Sequence, residues 1–534
     1  MNPVSKSLNL ARVSAKGGFN ILWGLTLSSI ISAVGVMVVA GILSGEEFAI
    51  LNIALIGPNL ISTIKDLGID QATIKYTTQY RTENDVEKLK NVINAGIVSE
   101  VLLGIVFTVI SLILSGFMAN ILERPAIVPL IQIASFIILA DALLKVAKSV
   151  FIGYDKMNLH SVTSILYSLL KTGLMILLVT LRYGAYGAII GNAVSYLSAG
   201  LVSIALLYLI IIKKLHKQKG QVQLVSTLKG MLNFGLPLSI CIMLAGVLSH
   251  FYSFLLAIYT TDLLYSNYQI SLNFAVLVSI FATSVTTVMF PTFSKLKAHE
   301  DPETVRSVFQ YSVKYASLLI VPLTFAVMAL SQPGVETLFQ NKYEYAPFFL
   351  SLYVMSFLYT TIGNLSGGAL IKSQGKTQVN MRLTILTFIV GIVLGVILIP
   401  QFGVLGLIAT SLTAGMPSLI IALWWIHKNY KATVDWKSST KILAASAFSA
   451  VVTYLVLNQV NLASWISLLL GAAVFLGTYM VTAPLIGAID YNDTKNLQDM
   501  LKSLGPIGPI VNPLLYPIEK ITNKTRKSNS NDQK

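Results

Sequence analysis

Charge is scarce in this chain. Of 534 residues only 11% are Asp, Glu, Lys or Arg, 54% are apolar, and the mean hydropathy is +0.73. A soluble globular chain carries roughly 25% charged residues, so this one lacks the charge to clothe water-exposed domains of its size. Soluble enzymes, nucleic-acid-binding domains and disordered scaffolds are excluded on that ground. Cysteine is nearly absent. Cys241 stands alone in the apolar run Leu236 to Ile258, which rules out an intrachain disulfide. The five histidines are scattered, no Cys/His group has metal-ligand spacing, and neither a metal site nor a cofactor is expected. What the chain has is long apolar runs. The first, Gly17 to Gly45, holds 29 uncharged residues, against roughly 7–15 in a secretory h-region, so it reads as a retained membrane segment and not a cleaved signal.

A spanning helix needs about 20 mostly apolar residues. Cutting the chain at charged or turn-rich loops predicts an all-α polytopic protein of fourteen spans, near 18–43, 47–65, 92–117, 127–150, 158–181, 184–212, 234–260, 266–290, 309–331, 346–371, 380–400, 403–426, 440–458 and 463–485. Two joins rest on turn residues alone, Pro400-Gln401-Phe402-Gly403 and Asn458-Gln459-Val460-Asn461. The basic residues give an independent check, since cytoplasmic loops collect Lys and Arg. With the N-terminus inside, 34 of the 38 basic residues fall on inside segments, Arg124, Arg182 and Lys342 fall outside, and Lys171 alone lies within a span. Both termini are therefore expected in the cytoplasm. The net charge of +15 is an orientation signal and implies no nucleic acid.

Two segments of about 200 residues look alike. Glu46 to Ile50 resembles Ser266 to Ile270, Gly153 to Lys156 resembles Gly375 to Thr377, and Arg182 to Ala188 resembles Gln401 to Leu407, at offsets of 220, 222 and 219. Equal orientation of the halves suits a transporter whose repeats are related by an axis along the membrane normal. The expected organisation is an N-lobe at 1–212, a basic amphipathic linker at 213–233, a C-lobe at 234–427, a hairpin of spans thirteen and fourteen at 428–489, and a cytoplasmic tail at 490–534 that reads as disordered. In the linker, the apolar spacing of Val222, Leu224, Val225, Leu228, Met231 and Leu232 predicts a helix on the inner membrane surface beside anionic headgroups.

Several segments carry a resemblance. Leu228 to Leu238, with Gly235 and Pro237, is similar to the motif opening the seventh helix of polysaccharide-biosynthesis flippases. Thr286 to Ser294, Lys314 to Leu323, Leu338 to Ala346 and Asp66 to Thr73 continue the likeness over roughly residues 15–485. Gln340 departs from it, standing where the family often has glycine. The resemblance implies a lipid-linked oligosaccharide flippase of the multidrug/oligosaccharidyl-lipid/polysaccharide exporter superfamily, a multi-pass plasma-membrane transporter and not an enzyme. Its cargo would be a polyprenyl-(pyro)phosphate-linked glycan moved from the cytoplasmic to the outer leaflet.

Ionisable groups inside a membrane mark interiors and pathways. Glu100 lies about 15 Å along its span from Lys90, near mid-membrane, and Lys171 about 20 Å from Met157. Asp141, Lys145 and Lys148 share one helical face at i, i+4 and i+7. Two readings stand side by side. As structural locks, Glu100 pairs with Lys171 and Asp141 with Lys145, while Lys148 snorkels to the interface. As a working site, Lys145, Lys148 and Lys171 line a cavity between the lobes and hold the (pyro)phosphate, with Glu100 or Asp141 responding to H+ or Na+. Asp66 and Asp70 read as capping residues or partners of Lys65, and His250 as a hydrogen-bonded helix residue. A monomer in contact with membrane lipids is expected. The alternatives are a cation-coupled exporter of drugs or metabolites, against which the extra hairpin and the motifs around Pro237 and Pro291 weigh, and a membrane glycan ligase or polymerase. The latter needs a large catalytic outer loop, and Ser331 to Tyr345 offers only Glu336, Lys342 and Glu344.

Overall fold

The structure, a computed structural model, describes residues 3–215, 224–296 and 302–502 together with Glu519 and Thr522, with side chains placed from Trp23 to 496 within those stretches and at the last two. Described residues are helical or in short connections, without a strand. Hydrocarbon offers no partner for a backbone N–H or C=O, so long apolar runs close their hydrogen bonds within one helix. The helices are α1 (Pro3–Ile42), α2 (Gly45–Lys65), α3 (Ile69–Thr82), α4 (Val86–Ile121), α5 (Val128–Gly153), α6 (Met157–Leu178), α7 (Gly184–Leu207), α8 (Lys213–Leu215), α9 (Leu224–Tyr259) and α10 (Asp262–Ser294). There follow α11 (Pro302–Ala329), α12 (Ser331–Phe339), α13 (Ala346–Val354), α14 (Asn364–Ser373), α15 (Thr377–Thr413), α16 (Met416–Tyr430), α17 (Trp436–Gln459), α18 (Ser464–Ile486) and α19 (Tyr491–Lys502).

Among the described residues, eleven helical segments are long and apolar enough to cross a membrane, or twelve if the pair Ala346–Ile362 and Asn364–Ser373, bent by 57°, is one span. Two of the eleven, Met157–Leu215 and Thr377–Tyr430, run to 59 and 54 residues, more than twice the ~20 residues of a single crossing. Each breaks between two expected spans, the first at the charged join, where Arg182 has φ 66°, and the second at the turn-residue join, where Gly403 has φ 56°.

Backbone punctuation repeats along the chain. Left-handed φ values recur at Glu123 and Gln340, at Asp155 and Gly375, and at Gly184 and Gly403, separations of 217, 220 and 219 residues. The last pair matches closely, with φ/ψ of 55°/−140° and 56°/−125°. The internal repeat read from weak sequence likeness is thus also written in the dihedral angles.

Two compact units result, one of Met1–Asn273 with Thr384–Thr410, the other of Phe274–Leu383 with Ser411–Lys534. This partition by packing is not the same as the repeat-based lobes, because α9 packs on α2, α3 and α4 in the first unit. In that unit α1 and α6 are joined by hydroxyls: Ser28 Oγ donates to the Ser164 carbonyl (3.0 Å), and Thr172 Oγ1 to that of Ile31 (3.1 Å). In the second unit, α11, α17 and α18 share a core of Val321, Ile442, Ala445, Phe475 and Tyr479.

Three expectations are corrected. The connection after α2, read as an open charged loop, contains helix α3, whose Ile69 and Ala72 are buried against Val92, Ala95 and Met231. The linker's apolar stretch is not a separate surface helix. From Leu224 it runs straight into α9, with Leu224, Leu228 and Leu232 packed on that same cluster, while residues 216–223 lie outside the described residues. Finally, the tail opens with an ordered helix, α19, tied down by Lys314 Nζ, 2.5 Å from Asp493 and 3.3 Å from Asp490. Apart from Glu519 and Thr522, the tail beyond Lys502 lies outside the described residues.

Candidate functional site

Charges gather in the first unit around the C-terminal end of α2. Ser44 starts this helix with a capping box: its hydroxyl accepts from Glu47 N–H (3.1 Å), and its own N–H donates to the Glu47 carboxylate (3.0 Å). The helix then continues through Leu60, Ile61 and Ser62 and ends at Lys65. Lys65 Nζ donates to Glu100 Oε2 at 3.1 Å, and the two side chains are 1% and 4% exposed. The expected pairing of Glu100 with Lys171 is therefore replaced. Glu100, fifteen residues into the 36-residue α4, thus meets the last residue of α2.

One turn further, Lys145 on α5 sits between two carboxylates, 3.3 Å from Asp141 and 3.6 Å from Asp66. The Asp141–Lys145 pair is the one that their i, i+4 spacing suggested, and the Asp66 contact is an addition. Asp66 also accepts from the Gly68 N–H at 3.3 Å, and Gly68 adopts φ 75° to turn the chain into α3. Asp70 on α3 is half-buried near both groups. Burial, and secondarily the neighbouring Asp66 charge, raise its carboxyl above the ordinary range. Neither Asp66 nor Asp70 pairs with Lys65; of the two roles expected, Asp66 takes the capping one, standing just past the last residue of α2.

Asp66 and Lys145 form one wall of a cavity of about 270 Å³, completed by Asn59, Ser62 and Thr63 of α2 and by Met243, Gly246 and His250 of α9. That volume is just below the roughly 300–1,000 Å³ of small-molecule sites, enough for a phosphate-sized group with water. Gly246 lets α9 approach, since a Cβ there would press on the Thr63 methyl. Sequence reasoning did not place His250 or Asn59 beside Lys145, because the proximity of α2, α5 and α9 exists only in the packed unit.

Lys148 and Lys171, both half-buried, make no ion pair among the described residues. Lys171 follows Tyr167 and Ser168 on α6. Tyr167 packs its ring against Tyr196 of α7 at 4.3 Å between centroids, and Ser168 faces Ser32 of α1 at 3.2 Å. The predicted residues thus fall into a buried lock (Lys65–Glu100), a shared lysine at a cavity (Asp66–Lys145–Asp141), and two cations that form no salt bridge among the described residues (Lys148, Lys171).

Fold and charge placement define a polytopic α-helical membrane protein that carries ionisable groups inside its first helical unit. The chain belongs to the polysaccharide biosynthesis protein family, which it matches over residues 38–347. Residues 264–476 also match the family described as lipid II flippase MurJ. The uncharacterized membrane protein MJ1068 of Methanocaldococcus jannaschii is 22% identical over 390 residues, 69% of this chain and 75% of that protein. The probable low-salt glycan biosynthesis flippase Agl15 of Haloferax volcanii is 21% identical over 178 residues, 32% of this chain and 38% of that one. Among solved structures, a lipid II flippase MurJ in an inward closed conformation is similar in fold, with TM-score 0.71 and 17% identity over 87% of this chain and 98% of that one.

Proposed function

We propose that this protein is a flippase that carries a polyprenyl-(pyro)phosphate-linked oligosaccharide from the cytoplasmic to the outer leaflet by alternating access. We read it as fourteen crossings with both termini in the cytoplasm of a cell with this plasma-membrane protein, as a monomer, and as a transporter and not an enzyme. The family membership and the flippase relatives support the cargo class. The observation that carries the mechanism is the pair of lysines, Lys148 and Lys171, held in membrane helices without a salt bridge among the described residues, Lys148 having only the more distant charge of Asp141. An ionised phosphate cannot enter hydrocarbon unaided, and a cation that is not already neutralised is the group that makes its crossing affordable, while the polyprenyl tail stays in lipid.

Lys145 supplies the coupling. Its two carboxylates hold it in the absence of cargo. An entering phosphate competes with them, and protonation of Asp66 or Asp141, or a cation bound there, releases the lysine to the anion. Charge is then conserved at each stage, and proton or Na+ occupancy biases the alternation between inward and outward states. The test is transfer of a polyprenyl-pyrophosphate oligosaccharide in proteoliposomes. Lys171→Gln abolishes transfer at normal levels of folded protein, and Lys171→Arg retains much of it. Unchanged transfer in Lys171→Gln rejects the role.

A further inference from the structure

A larger cavity, of about 740 Å³, lies wholly within the second unit. Its walls come from α12, the turn Gln340–Tyr343, the start of α13 and the C-terminal end of α17. The charge alternation assigns this end to the outer side. Gln332, Glu336, Gln340, Asn341, Tyr454 and Asn458 are among the residues that line it, and no lysine or arginine does.

Glu336 is the organised centre of this lining. Gln332 Nε2 donates to its Oε1 at 2.9 Å, and Ser464 Oγ, from the first residue of α18, donates to its Oε2 at 3.2 Å. An ionised carboxylate has about four lone-pair sites, so each oxygen keeps acceptor capacity for a ligand. Carboxamides on both sides present donors and acceptors together, and Tyr454 contributes an aromatic surface that is 57% exposed. Gln340 occupies φ 51°, ψ −131°, a region glycine enters freely and other residues rarely do.

A sugar ring matches this set. Its hydroxyls donate to carboxylates and exchange bonds with carboxamides, and its C–H face lies on an aromatic ring. The lining carries two acids, Glu336 and Glu344, and no base, the nearby Lys342 lying over the Tyr343 ring at its edge, so the cavity itself disfavours phosphate and uronate. We infer that this cavity is a saccharide site for uncharged sugar units, separate from the charged cleft that handles phosphate. The inference rests on the flippase reading for its place in transport, where it would receive the glycan on the side of release.

The test is saturation-transfer-difference NMR on the full chain in lipid nanodiscs with maltotriose, mannotriose, triacetylchitotriose and trigalacturonate. At least one neutral trisaccharide binds, trigalacturonate does not at neutral pH, and Tyr454→Ala and the near-isosteric Glu336→Gln each weaken the binding at least fivefold. The site is overturned if no neutral trisaccharide binds, if trigalacturonate binds as well as they do, or if both variants fold and bind normally. Glycolipid transfer measured on the same purified proteins reconstituted into proteoliposomes separates the two ideas. Transfer without sugar binding removes the site and keeps the flippase, and sugar binding without transfer does the reverse.

Discussion

Lys65 and Glu100, 35 residues apart in sequence, meet as an ion pair of 3.1 Å that water scarcely reaches. Removing one partner from such a pair leaves a buried charge uncompensated, which costs about 3–5 kcal/mol, whereas replacing both by apolar residues is often neutral or better. Glu100→Gln should therefore lower the Tm of the detergent-solubilised protein sharply, and Lys65→Met combined with Glu100→Leu should restore most of it. A single variant as stable as the parent would show that the pair is not a lock.

Gly235 of α9 lies directly against the backbone of Gly68, and a Cβ on either would collide with main-chain atoms of the other. Main chain cannot rotate away as a side chain can. Gly235→Ala should destabilise the first unit by about 1–3 kcal/mol, in the range of other overpacked sites, and scanning calorimetry would read it. Gly230→Ala, five residues earlier with open space around it, is the control and should leave Tm within a degree or two.

Asp435 caps α17. Its carboxylate accepts from the Ser438 hydroxyl (2.5 Å), from Lys437 N–H (3.1 Å) and from Ser438 N–H (3.3 Å). These bonds, the hydroxyl's foremost, hold its carboxyl below the ordinary range. Loss of such a cap costs about 1 kcal/mol. Because the folded pKa is the lower one, the stabilisation is present above the unfolded value near 3.9 and fades as pH falls below it. The Tm gap between parent and Asp435→Ala should be constant from pH 8 to 5 and close below about pH 4. A gap that widened in acid would contradict the sign.

Gln340→Gly relieves a strained dihedral whose cost is of order 1–3 kcal/mol, offset in part by glycine's greater freedom when unfolded. The expected net result is a gain of about 1 kcal/mol, visible in Tm, with weaker trisaccharide binding. Unaltered stability would mean that the turn carries no strain at this position.

Much of this was legible in the linear sequence. Long uncharged runs dictate helices wherever they lie, so span boundaries such as the break at Ser44 and the turn at Gly403 follow from composition and turn chemistry. The Asp141–Lys145 contact follows from helical spacing alone. Lys65 was not legible: it opens a stretch of charges, and only tertiary packing shows that α2 runs through it into a buried contact with α4. The helix α3 was missed for a related reason, since its polar composition resembles a loop until Ile69 and Ala72 find Met231. The 740 Å³ cavity draws on α12, α13 and α17 together, and no pattern within any one of them announces it.

The hydroxyls along α1 and α6 have a mechanical consequence. Ser164 and Ser168 each also donate within their own helix, to the His160 carbonyl (2.9 Å) and the Ser164 carbonyl (3.1 Å). If α1 drew away, these donors would still be satisfied locally. The two serines of α6 can thus part from α1 at little cost, whereas Ser28 and Thr172, which donate across the seam, must find new acceptors as it opens, so these two hydroxyls set the resistance of the first unit to flexing there.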